Sequence, residues 1–429
     1  MRTTEVFMTK KFELELENIA SDKSISHRCA IFSLLSNKPS VVKNYLLGED
    51  TLNTIKIAKQ LGLQVEEITQ NQMKFTPPKE KIQEPNDILD CGNAGTAIRL
   101  YAGLLCAQEG YFVLTGDKYL KVRPMKRVIE PLTNIGAKIY ARKQDSLAPM
   151  TIIGQKLKGF DYQSPISSAQ IKSAMILAAL NTNQISKFKE PELSRDHTEN
   201  ILKGMGANIK NTTDGIEIFP LQHPLDPLNI NIPSDPSSAF FFAIAAAIVP
   251  NSKVLLKNVL LNKTRIEAFK ILEKMGAKIQ YTITNKDYED IGNIYVEQRP
   301  LQGVDVEENI SWLIDEIPAL SIAMAVAKGK SRIKNAQELR VKETDRIKAV
   351  ITNLKKMGIE CEEFEDGYSI EGGELKFGIL DSYGDHRIAM SFAIAGLLNG
   401  SKIKDSECID VSFPNFLEIL QKITNIQNQ

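Results

Sequence analysis

The stretch KMGAKI (residues 274–279) ends an amphipathic segment with an apolar residue and a glycine, and then starts a short strand-like run. The same pattern recurs as QLGLQV, NIGAKI, GMGANI and KMGIEC, with its glycine at Gly62, Gly136, Gly206 and Gly358. Including Gly276, successive glycines are 74, 70, 70 and 82 residues apart. Glycine is typical of a left-handed helix cap, so each stretch indicates a helix followed by a strand. Five such stretches and an unmarked C-terminal segment predict about six helix–strand repeats.

Two arrangements of six repeats are open at this point: a closed ring or solenoid, and two lobes of three. The best boundary is NINIPSDPSSAF (residues 229–240), where Pro, Ser and Asp cluster before an apolar helix. A second crossing near LENIASDKS (residues 16–24) would place the N-terminal strand with the C-terminal lobe. A single doubly wound α/β sheet is the alternative. No glycine-rich loop with GxGxxG or GxxxxGKS spacing follows a strand, which argues against a nucleotide cofactor.

Composition narrows the class of protein. The 429 residues exceed a comfortable single core, so two domains are expected. Lys and Arg balance Asp and Glu at 53 each, which excludes a bulk attraction to nucleic acid or to anionic membrane. Five widely spaced cysteines without a CxxC pair do not indicate a disulfide framework or a zinc site. The charged start (residues 1–17) is unlike a signal peptide, and the longest apolar run (residues 239–250) predicts a buried helix. We therefore expect a soluble, cytoplasmic protein.

Several apolar helices are predicted to begin with polar and basic residues. In ASDKSISHRCAIFSLL (residues 20–35), Asp22 or Ser24 is a suitable N-cap, while Lys23 and Arg28 occupy the first turns. Cations at that end oppose the helix macrodipole unless an anion binds there. Related starts occur in LDCGNAGTAIRLYAGLL (89–105), LTGDKYLKVRPMKRVIEPL (114–132), SPISSAQIKSAMILAAL (164–180), SRDHTEN (194–200), SWLIDEIPALSIAMAVAKG (311–329), ELRVKETDRIKAV (338–350) and SYGDHRIAMSFAIAGLL (382–398).

The candidate anion-binding residues each have an ordinary structural interpretation as well. Gly95 either lets backbone N–H groups approach a phosphate or merely starts a helix. Ser168 and Gln170 either offer neutral hydrogen bonds to a ligand or form a serine-rich cap. Arg123, directly before Pro124 at a predicted helix N1 position, either presents a forked guanidinium to an anion or is a solvated loop arginine.

The acidic candidates are similarly ambiguous. Asp315, among apolar neighbours, is either a helix cap or a carboxylate that accepts a hydroxyl proton. Glu343 and Arg346 either belong to a site or form a simple i,i+3 surface pair, as do Lys342 and Asp345. If these segments converge, they build a site for a ligand with several anionic groups.

Six motifs resemble, in order and spacing, those of the 5-enolpyruvylshikimate-3-phosphate synthase family of enolpyruvyl transferases. They are DKSISHR, GNAGTAIR, SSAQIKSA, SRDHTE, LRVKETDR and GDHRIAM, and the similarity extends over about residues 12–420. The resemblance implies a two-lobed enolpyruvyl-transferase α/β fold, an inside-out α/β barrel with three βαββαβ-type units in each lobe. It implies a shikimate-3-phosphate-binding lobe at 20–232, a second lobe at 1–19 plus 233–429, and an active site in the interlobe cleft.

The activity implied by the resemblance is transfer of the enolpyruvyl group of phosphoenolpyruvate to the 5-hydroxyl of shikimate 3-phosphate. Phosphate is released through a tetrahedral intermediate, in chorismate and aromatic amino-acid biosynthesis. The family requires no metal or other cofactor, and the resemblance implies a cytoplasmic monomer. Gly95 stands where a bulkier residue accompanies glyphosate tolerance in some relatives, so we expect glyphosate to compete with phosphoenolpyruvate.

Residue roles follow from the same resemblance, position by position. Asp315 matches the proton acceptor, and Glu343 and Lys23 would assist in catalysis. Shikimate 3-phosphate would contact Lys23, Ser24, Arg28, Ser168, Gln170, Arg195, Asp315 and Lys342. Phosphoenolpyruvate would contact Lys23, Gly95, Arg123, Gln170, Arg346 and Arg387. Cations are needed because two phosphates and two carboxylates must be brought together against their mutual repulsion.

The sequence departs from the family pattern at a few positions, and other functions compete with the one that the resemblance implies. Ala20 and Ser21 replace the usual Pro-Gly, while Ala169 and Ser412 replace a Ser and a Lys of some relatives, so no contact is assigned to these positions. The sister enzyme that uses UDP-N-acetylglucosamine usually has a cysteine in the loop matching residues 115–124, which contains none here. A non-catalytic scaffold, or one domain of a fused shikimate-pathway polypeptide, is the remaining alternative. The intact set of Asp315, Glu343, Lys23 and the arginines argues against the scaffold, and the match to the family's own boundaries leads us to expect no fusion.

Overall fold

The computed structural model describes residues 2–17, 19–286 and 288–428; Asn18, inside the second predicted crossing, lies outside the described residues. The chain divides into two compact units. The continuous unit is Ser21–Ile232, and the discontinuous unit combines Met1–Ala20 with Pro233–Gln429. One change of unit falls between Ile232 and Pro233, within the stretch rich in Pro, Ser and Asp.

Each unit contains three four-stranded sheets among the residues described, and all six sheets share one plan. A parallel pair lies at one edge, and antiparallel pairs complete the sheet. In spatial order, the sheets of the continuous unit are Asn229–Asn231, Ser40–Lys43, Gln72–Thr76, Gln64–Thr69; Leu89–Asp90, Gly110–Thr115, Leu147–Gly154, Lys138–Ala141; and Asp161–Gln163, Ser186–Lys189, Ile216–Ile218, Ile209–Asn211. Those of the discontinuous unit are Glu13–Leu16, Lys253–Leu260, Asp290–Glu297, Lys278–Lys286; Asp305–Val306, Lys330–Ile333, Gly367–Glu371, Cys361–Phe364; and Gly378–Asp381, Ser401–Lys404, Thr4–Val6, Ile426–Asn428. The prediction of six repeats is confirmed, and the alternative of one doubly wound sheet is wrong.

Two kinds of helix recur in these repeats. Four of the crossover helices join the two parallel strands of one sheet, as the length of a parallel connection requires. The other two, Lys23–Ser33 and Pro236–Ile248, lead into the equivalent strand of their repeat from a strand that pairs in a different sheet. The crossover helices are Lys23–Ser33, Gly95–Leu105, Ala169–Leu180, Pro236–Ile248, Ile317–Val326 and His386–Asn399. The second helices, each with one apolar face, are Glu49–Gln60, Lys126–Asn134, His197–Gly204, Glu267–Lys274, Arg346–Lys356 and Phe416–Leu420. Short helical turns are Leu120–Val122, Arg142–Asp145, Ile310–Leu313, Gln337–Val341 and Ser406–Val411.

The crossover helices form the core of each unit. In the discontinuous unit, Pro236–Ile248, Ile317–Val326 and His386–Asn399 pack against one another. All residues of Pro236–Ile248 are buried, which confirms the helix predicted from the apolar run, with an earlier start. Burying each Leu, Ile or Phe side chain contributes about 1.5–3 kcal/mol, so the packing of these helices stabilises the unit.

Close packing of two crossover helices in the continuous unit depends on one glycine. A Cβ on Gly103, in the Gly95–Leu105 helix, would lie 2.2 Å from the carbonyl oxygen of Ala174 in the Ala169–Leu180 helix. No side chain fits in that space. The close contact packs together two helices on which candidate site residues lie.

The repeated glycines have the predicted conformation. Gly62, Gly136, Gly206, Gly276 and Gly358 have φ values of 102°, 98°, 88°, 117° and 84°. Each lies just beyond the end of a second helix and just before a strand, as the KMGAKI pattern predicts. The sixth repeat runs from the Phe416–Leu420 helix to the Ile426–Asn428 strand without such a glycine, which explains why its pattern is unmarked.

Within the described ranges, no helix combines the length and the apolar character needed to cross a lipid bilayer.

Candidate active site

Candidate site residues gather at the starts of helices of both kinds in each unit. We call Arg28, Arg99 and Arg123, with their hydrogen-bond partners, the arginine cluster of the continuous unit. We call Arg346 and Arg387, with the carboxylates around them, the carboxylate cluster of the discontinuous unit.

A capping hydrogen bond and an ion pair fix the start of the Lys23–Ser33 helix. Asp22 is its N-cap, and its Oδ1 accepts a hydrogen bond from the backbone N–H of Ile25 at 2.8 Å, as predicted. Lys23 Nζ lies 2.5 Å from Asp50 Oδ2 on the next helix. His27 is fully buried against Thr54, and burial, together with Lys23 and Arg28, lowers the pKa of its imidazole. A neutral His27 leaves the positive charge of this turn to Lys23 and Arg28.

Arg28 is buried and oriented by neutral oxygens. Its Nε donates to Thr198 Oγ1 at 2.7 Å and its Nη2 donates to Ser173 Oγ at 2.9 Å. Its Nη1 donates to the backbone carbonyl of Ser24 at 2.9 Å. These three bonds to neutral oxygens fix the orientation of the guanidinium.

Arg123 packs directly over Gly95. A Cβ on Gly95 would lie 2.9 Å from three atoms of the Arg123 guanidinium, so only glycine permits this contact. Arg123 is 7% exposed, and its interpretation as a solvated loop arginine is therefore wrong. The helix that follows begins at Lys126, so the prediction of Pro124 at N1 is also wrong. The Arg123 guanidinium therefore lies against the start of the Gly95–Leu105 helix, where residue 95 has no side chain.

Gln170 links two crossover helices. Its Oε1 accepts a short hydrogen bond from Arg99 Nη1, and its Nε2 donates to Thr96 Oγ1 at 3.1 Å. Arg99 also donates from Nη2 to the carbonyl oxygen of Pro124 at 3.2 Å. Gln170 thus lies beside the Gly95–Arg123 pair, although its own helix starts more than sixty residues later in the chain.

Ser168 and Arg195 complete the candidates of the continuous unit. Ser168 is the N-cap residue of the Ala169–Leu180 helix, but its side chain makes no capping hydrogen bond, so the ordinary capping interpretation is not supported. Arg195 is half-buried, one residue before Asp196, the N-cap of the His197–Gly204 helix. Thr198 of that helix binds Arg28, which connects the SRDHTE motif with the DKSISHR motif.

Arg346 is the centre of the carboxylate cluster. It is 1% exposed, and its Nε donates to Asp385 Oδ2 at 2.8 Å. Its Nη2 donates to Glu343 Oε2 at 2.6 Å, and its Nη1 lies 3.4 Å from Asp315 Oδ1. Burial alone would lower the pKa of Arg346, but the three carboxylates outweigh burial and raise it. The i,i+3 pair of Glu343 and Arg346 is therefore real, but it is buried rather than a simple surface pair.

Asp315 lies between two guanidinium groups. Arg387 Nε is 3.4 Å from its Oδ1, on which Arg346 also converges, and Arg387 Nη1 donates to its backbone carbonyl at 3.1 Å. The expectation of apolar neighbours is thus incomplete, because charge dominates the surroundings of this carboxylate. Asp315 is not the cap of its helix either, since Glu316 occupies that position.

Lys342 does not pair with Asp345 as the i,i+3 interpretation predicts. Its Nζ donates instead to Glu338 Oε1 at 2.9 Å. Asp345 caps the Arg346–Lys356 helix and binds Arg340. Burial lowers the pKa of Lys342, against the opposing effects of Glu338 and Asp315. The neutral amine is therefore easier to reach at Lys342 than at an ordinary lysine.

Sequence reasoning assigned no role to several residues that build these clusters. Arg99 and Lys172 lie inside otherwise apolar crossover helices, and Thr198 and Asp385 orient arginines. A charged residue on the buried face of an apolar helix is the signal that could have identified the first two, because burial of a charge requires a partner.

The family model for EPSP synthase (3-phosphoshikimate 1-carboxyvinyltransferase) matches residues 8–420. A 3-phosphoshikimate 1-carboxyvinyltransferase of Wolinella succinogenes is 62% identical over 99% of this chain and 98% of its own.

Two solved structures are also similar. An EPSP synthase from Acinetobacter baumannii has 36% identity and a TM-score of 0.88, with 100% of both chains covered. The enolpyruvyl transferase NikO from Streptomyces tendae, at 13% identity and a TM-score of 0.80, covers 100% of this chain and 99% of its own and shares the fold. Together with the motifs and clusters above, these findings show that the chain belongs to the EPSP synthase (3-phosphoshikimate 1-carboxyvinyltransferase) family.

Proposed function

We propose that this enzyme transfers the enolpyruvyl group of phosphoenolpyruvate to the 5-hydroxyl of shikimate 3-phosphate, and that the two clusters divide the task. The observation that carries the proposal is the carboxylate cluster: Arg346 and Arg387 converge on Asp315, and Arg346 also binds Glu343. In this cluster, the guanidinium groups that would bind the anionic substrate lie beside the carboxylates that would exchange protons.

The continuous unit would bind shikimate 3-phosphate. Lys23, Ser24 and Arg28 belong to one helix start, and Ser168, Gln170 and Arg195 belong to the neighbouring helix starts of the same unit. The hydroxyl and amide groups suit the phosphate oxygens and ring hydroxyls, while Arg28 and Arg195 offset the negative charge. Asp315 and Lys342 would complete the contacts to this substrate.

Phosphoenolpyruvate would bind where cations lie beside an unobstructed helix start. Gly95 exposes backbone N–H groups next to Arg123, and Gln170 borders the same place through Thr96 and Arg99. Lys23, Arg346 and Arg387 would supply the remaining positive charge. Binding both anions in a reactive orientation then contributes on the order of several kcal/mol to the rate.

Proton transfer would be divided between two carboxylates. Asp315 takes the proton of the 5-hydroxyl as its oxygen attacks C2 of phosphoenolpyruvate, while C3 gains a proton with the help of Glu343 and Lys23. The tetrahedral intermediate then loses phosphate from C2 and the proton from C3, which restores the double bond. A base and an acid are both needed, so the site has to hold groups that differ in proton affinity.

Phosphate release from phosphoenolpyruvate, with shikimate 3-phosphate or UDP-N-acetylglucosamine as the acceptor in parallel reactions, tests the proposal. Release that depends on shikimate 3-phosphate alone supports it. Release that depends on the UDP-sugar would assign the chain to the sister reaction, and no release with either acceptor would favour a scaffold.

We also propose that the enzyme works as a cytoplasmic monomer without a cofactor. The family resemblance supports this state. Light scattering on the purified protein at assay concentration would give a mass near 47.9 kDa if the proposal is right, and about twice that mass for a dimer.

A further inference from the structure

A buried group of three charges lies beside the arginine cluster. Lys172 Nζ is 2.9 Å from Glu190 Oε1, 2.9 Å from Glu199 Oε1 and 3.0 Å from the carbonyl oxygen of Ser194. Lys172 is 1% exposed and Glu199 is 3% exposed. An ammonium has three donors, and here each has an acceptor. We call Lys172, Glu190 and Glu199 the lysine clamp.

The lysine clamp holds the residue that precedes Arg195. Glu190 Oε1 accepts hydrogen bonds from both the backbone N–H of Ser194 at 2.8 Å and its Oγ at 3.0 Å. Because Lys172 binds the carbonyl of the same residue, the N–H, hydroxyl and carbonyl of Ser194 are all bonded to the clamp. The backbone directly before Arg195 is therefore fixed by three hydrogen bonds to Ser194.

The lysine clamp also adjoins the partners of Arg28. Ser173 follows Lys172 in the chain, Thr198 precedes Glu199, and their hydroxyl groups are 2.6 Å apart. Both hydroxyls accept hydrogen bonds from Arg28. The clamp thus joins the Ala169–Leu180 helix to the His197–Gly204 helix at the level of both proposed anion-binding arginines.

Stability alone is a weak reason for this arrangement. A buried ion pair gains little over apolar side chains of the same volume, because removing charges from water is costly. Among the residues described, no donor reaches the second oxygen of Glu190 or of Glu199, so each carboxylate is incompletely satisfied. Burial raises the pKa of Glu199 despite the opposing effect of Lys172, as expected for a costly charge.

We propose that Lys172 is a positioning residue: through Glu190, Glu199 and Ser194 it holds Arg195 and Arg28 in the orientation that binds the phosphate-bearing acceptor. It does not touch substrate itself. This inference rests on the proposed function, because it assumes that Arg195 and Arg28 contact shikimate 3-phosphate.

Steady-state phosphate release by full-length variants tests the proposal. In Lys172→Met and Glu199→Gln we expect the KM for shikimate 3-phosphate to rise about tenfold, the loss expected when one arginine contact is misplaced. We expect the KM for phosphoenolpyruvate and kcat to stay within about twofold of wild type. Lys172→Arg keeps the charge but not the size or the donor geometry of lysine, so it should recover only part of the affinity for the acceptor.

A double-variant cycle separates positioning from general weakening. Arg195→Gln alone should raise the KM for shikimate 3-phosphate, and adding Lys172→Met should raise it by less than the product of the two separate effects, because part of the clamp acts through Arg195. If the two substitutions raise the KM by the full product of their separate effects, the clamp does not act through Arg195. Ile201→Val, a buried change in the same helix that removes no polar group, should leave both KM values unchanged.

The outcomes are distinct. If Glu199→Gln and Lys172→Met lower the amount of active enzyme but leave the KM for shikimate 3-phosphate unchanged, the clamp is merely structural and the proposal is wrong. If Lys172→Met does not fold, the KM of Glu199→Gln decides. If wild type releases no phosphate with shikimate 3-phosphate, the proposed function fails first, and the inference fails with it.

Discussion

The two clusters use arginine in opposite ways. In the continuous unit, Arg28 donates to hydroxyl and carbonyl oxygens, which carry no charge. In the discontinuous unit, Arg346 donates to Asp385, Glu343 and Asp315, which are all carboxylates. Hydrogen bonds to neutral oxygens orient a cation without adding a negative charge beside it. Carboxylates offset the charge of the cation, and the cation in turn holds the carboxylates in fixed positions.

The difference suggests a division of labour within one enzyme. A guanidinium held by neutral groups is prepared to bind an anion, so changes in the arginine cluster should affect the KM for substrates. A guanidinium that holds carboxylates prepares proton donors and acceptors, so changes in the carboxylates Asp315 and Glu343 should affect kcat.

The largest effect is expected at Asp315. Asp315→Asn keeps the shape and the contact with Arg387 but removes the proton acceptor, so kcat should fall by roughly 10²–10⁴-fold. Calorimetry should show that shikimate 3-phosphate still binds. Asp305→Asn, an exposed change in the same unit, serves as the control and should be neutral. A variant with wild-type kcat would refute the role of Asp315 and, with it, the contrast between the clusters.

The arginine cluster should respond in KM. Arg28→Lys loses the fork that reaches Thr198 and Ser173, at a cost of about 2 kcal/mol in binding, or roughly 30-fold in the KM for shikimate 3-phosphate. Steady-state kinetics at saturating phosphoenolpyruvate measures it, with the exposed Arg299→Lys as the control. If Arg28→Lys lowers kcat and leaves the KM for shikimate 3-phosphate unchanged, the proposed division of labour between the two clusters is wrong.

A steric change sharpens the comparison within the arginine cluster. The added methyl group of Gly95→Ala would lie 2.9 Å from the Arg123 guanidinium, so this side chain must shift. We expect a rise of roughly tenfold in the KM for phosphoenolpyruvate, from misplacement of the cation by a few tenths of an ångström, and weaker competitive inhibition by glyphosate. Gly373→Ala, whose methyl group would make an ordinary contact 3.5 Å from Ile359, should change neither constant. Glyphosate inhibition that does not depend on phosphoenolpyruvate concentration would contradict the expected competition.

The smallest effect concerns Lys342. Because burial lowers its pKa, the folded protein disfavours the ammonium form; this cost is present at neutral pH and fades as the pH rises toward 10.5, the ordinary value. Acetylation of Lys342, followed by mass spectrometry over a range of pH, should show a midpoint below that value, with exposed Lys10 as the internal reference. Glu338→Gln removes a charge that raises the pKa, so the midpoint should move lower still. A midpoint that moves upward would contradict this electrostatic account.

Local patterns determined the repeats. The glycines of the five KMGAKI-type stretches have positive φ because a helix end must meet a strand there, and this requirement is set by neighbours along the chain. The buried Pro236–Ile248 helix and the Asp22 cap were predictable for the same reason. Family motifs added the candidate residues, which local chemistry alone left ambiguous.

Long-range pairing was decided only by the tertiary structure. Asn229–Asn231 pairs in parallel with Ser40–Lys43, and Thr4–Val6 pairs with Ser401–Lys404. The contact of Arg99 with Gln170 and the lysine clamp likewise join residues from different elements of the chain. Spacing and periodicity report on neighbours within a few turns, whereas these contacts depend on which surfaces pack and which charges must be paired when buried. The sequence by itself therefore determined the repeats and the candidate residues, and the packed units decided which arginines are oriented by neutral oxygens and which hold carboxylates in place.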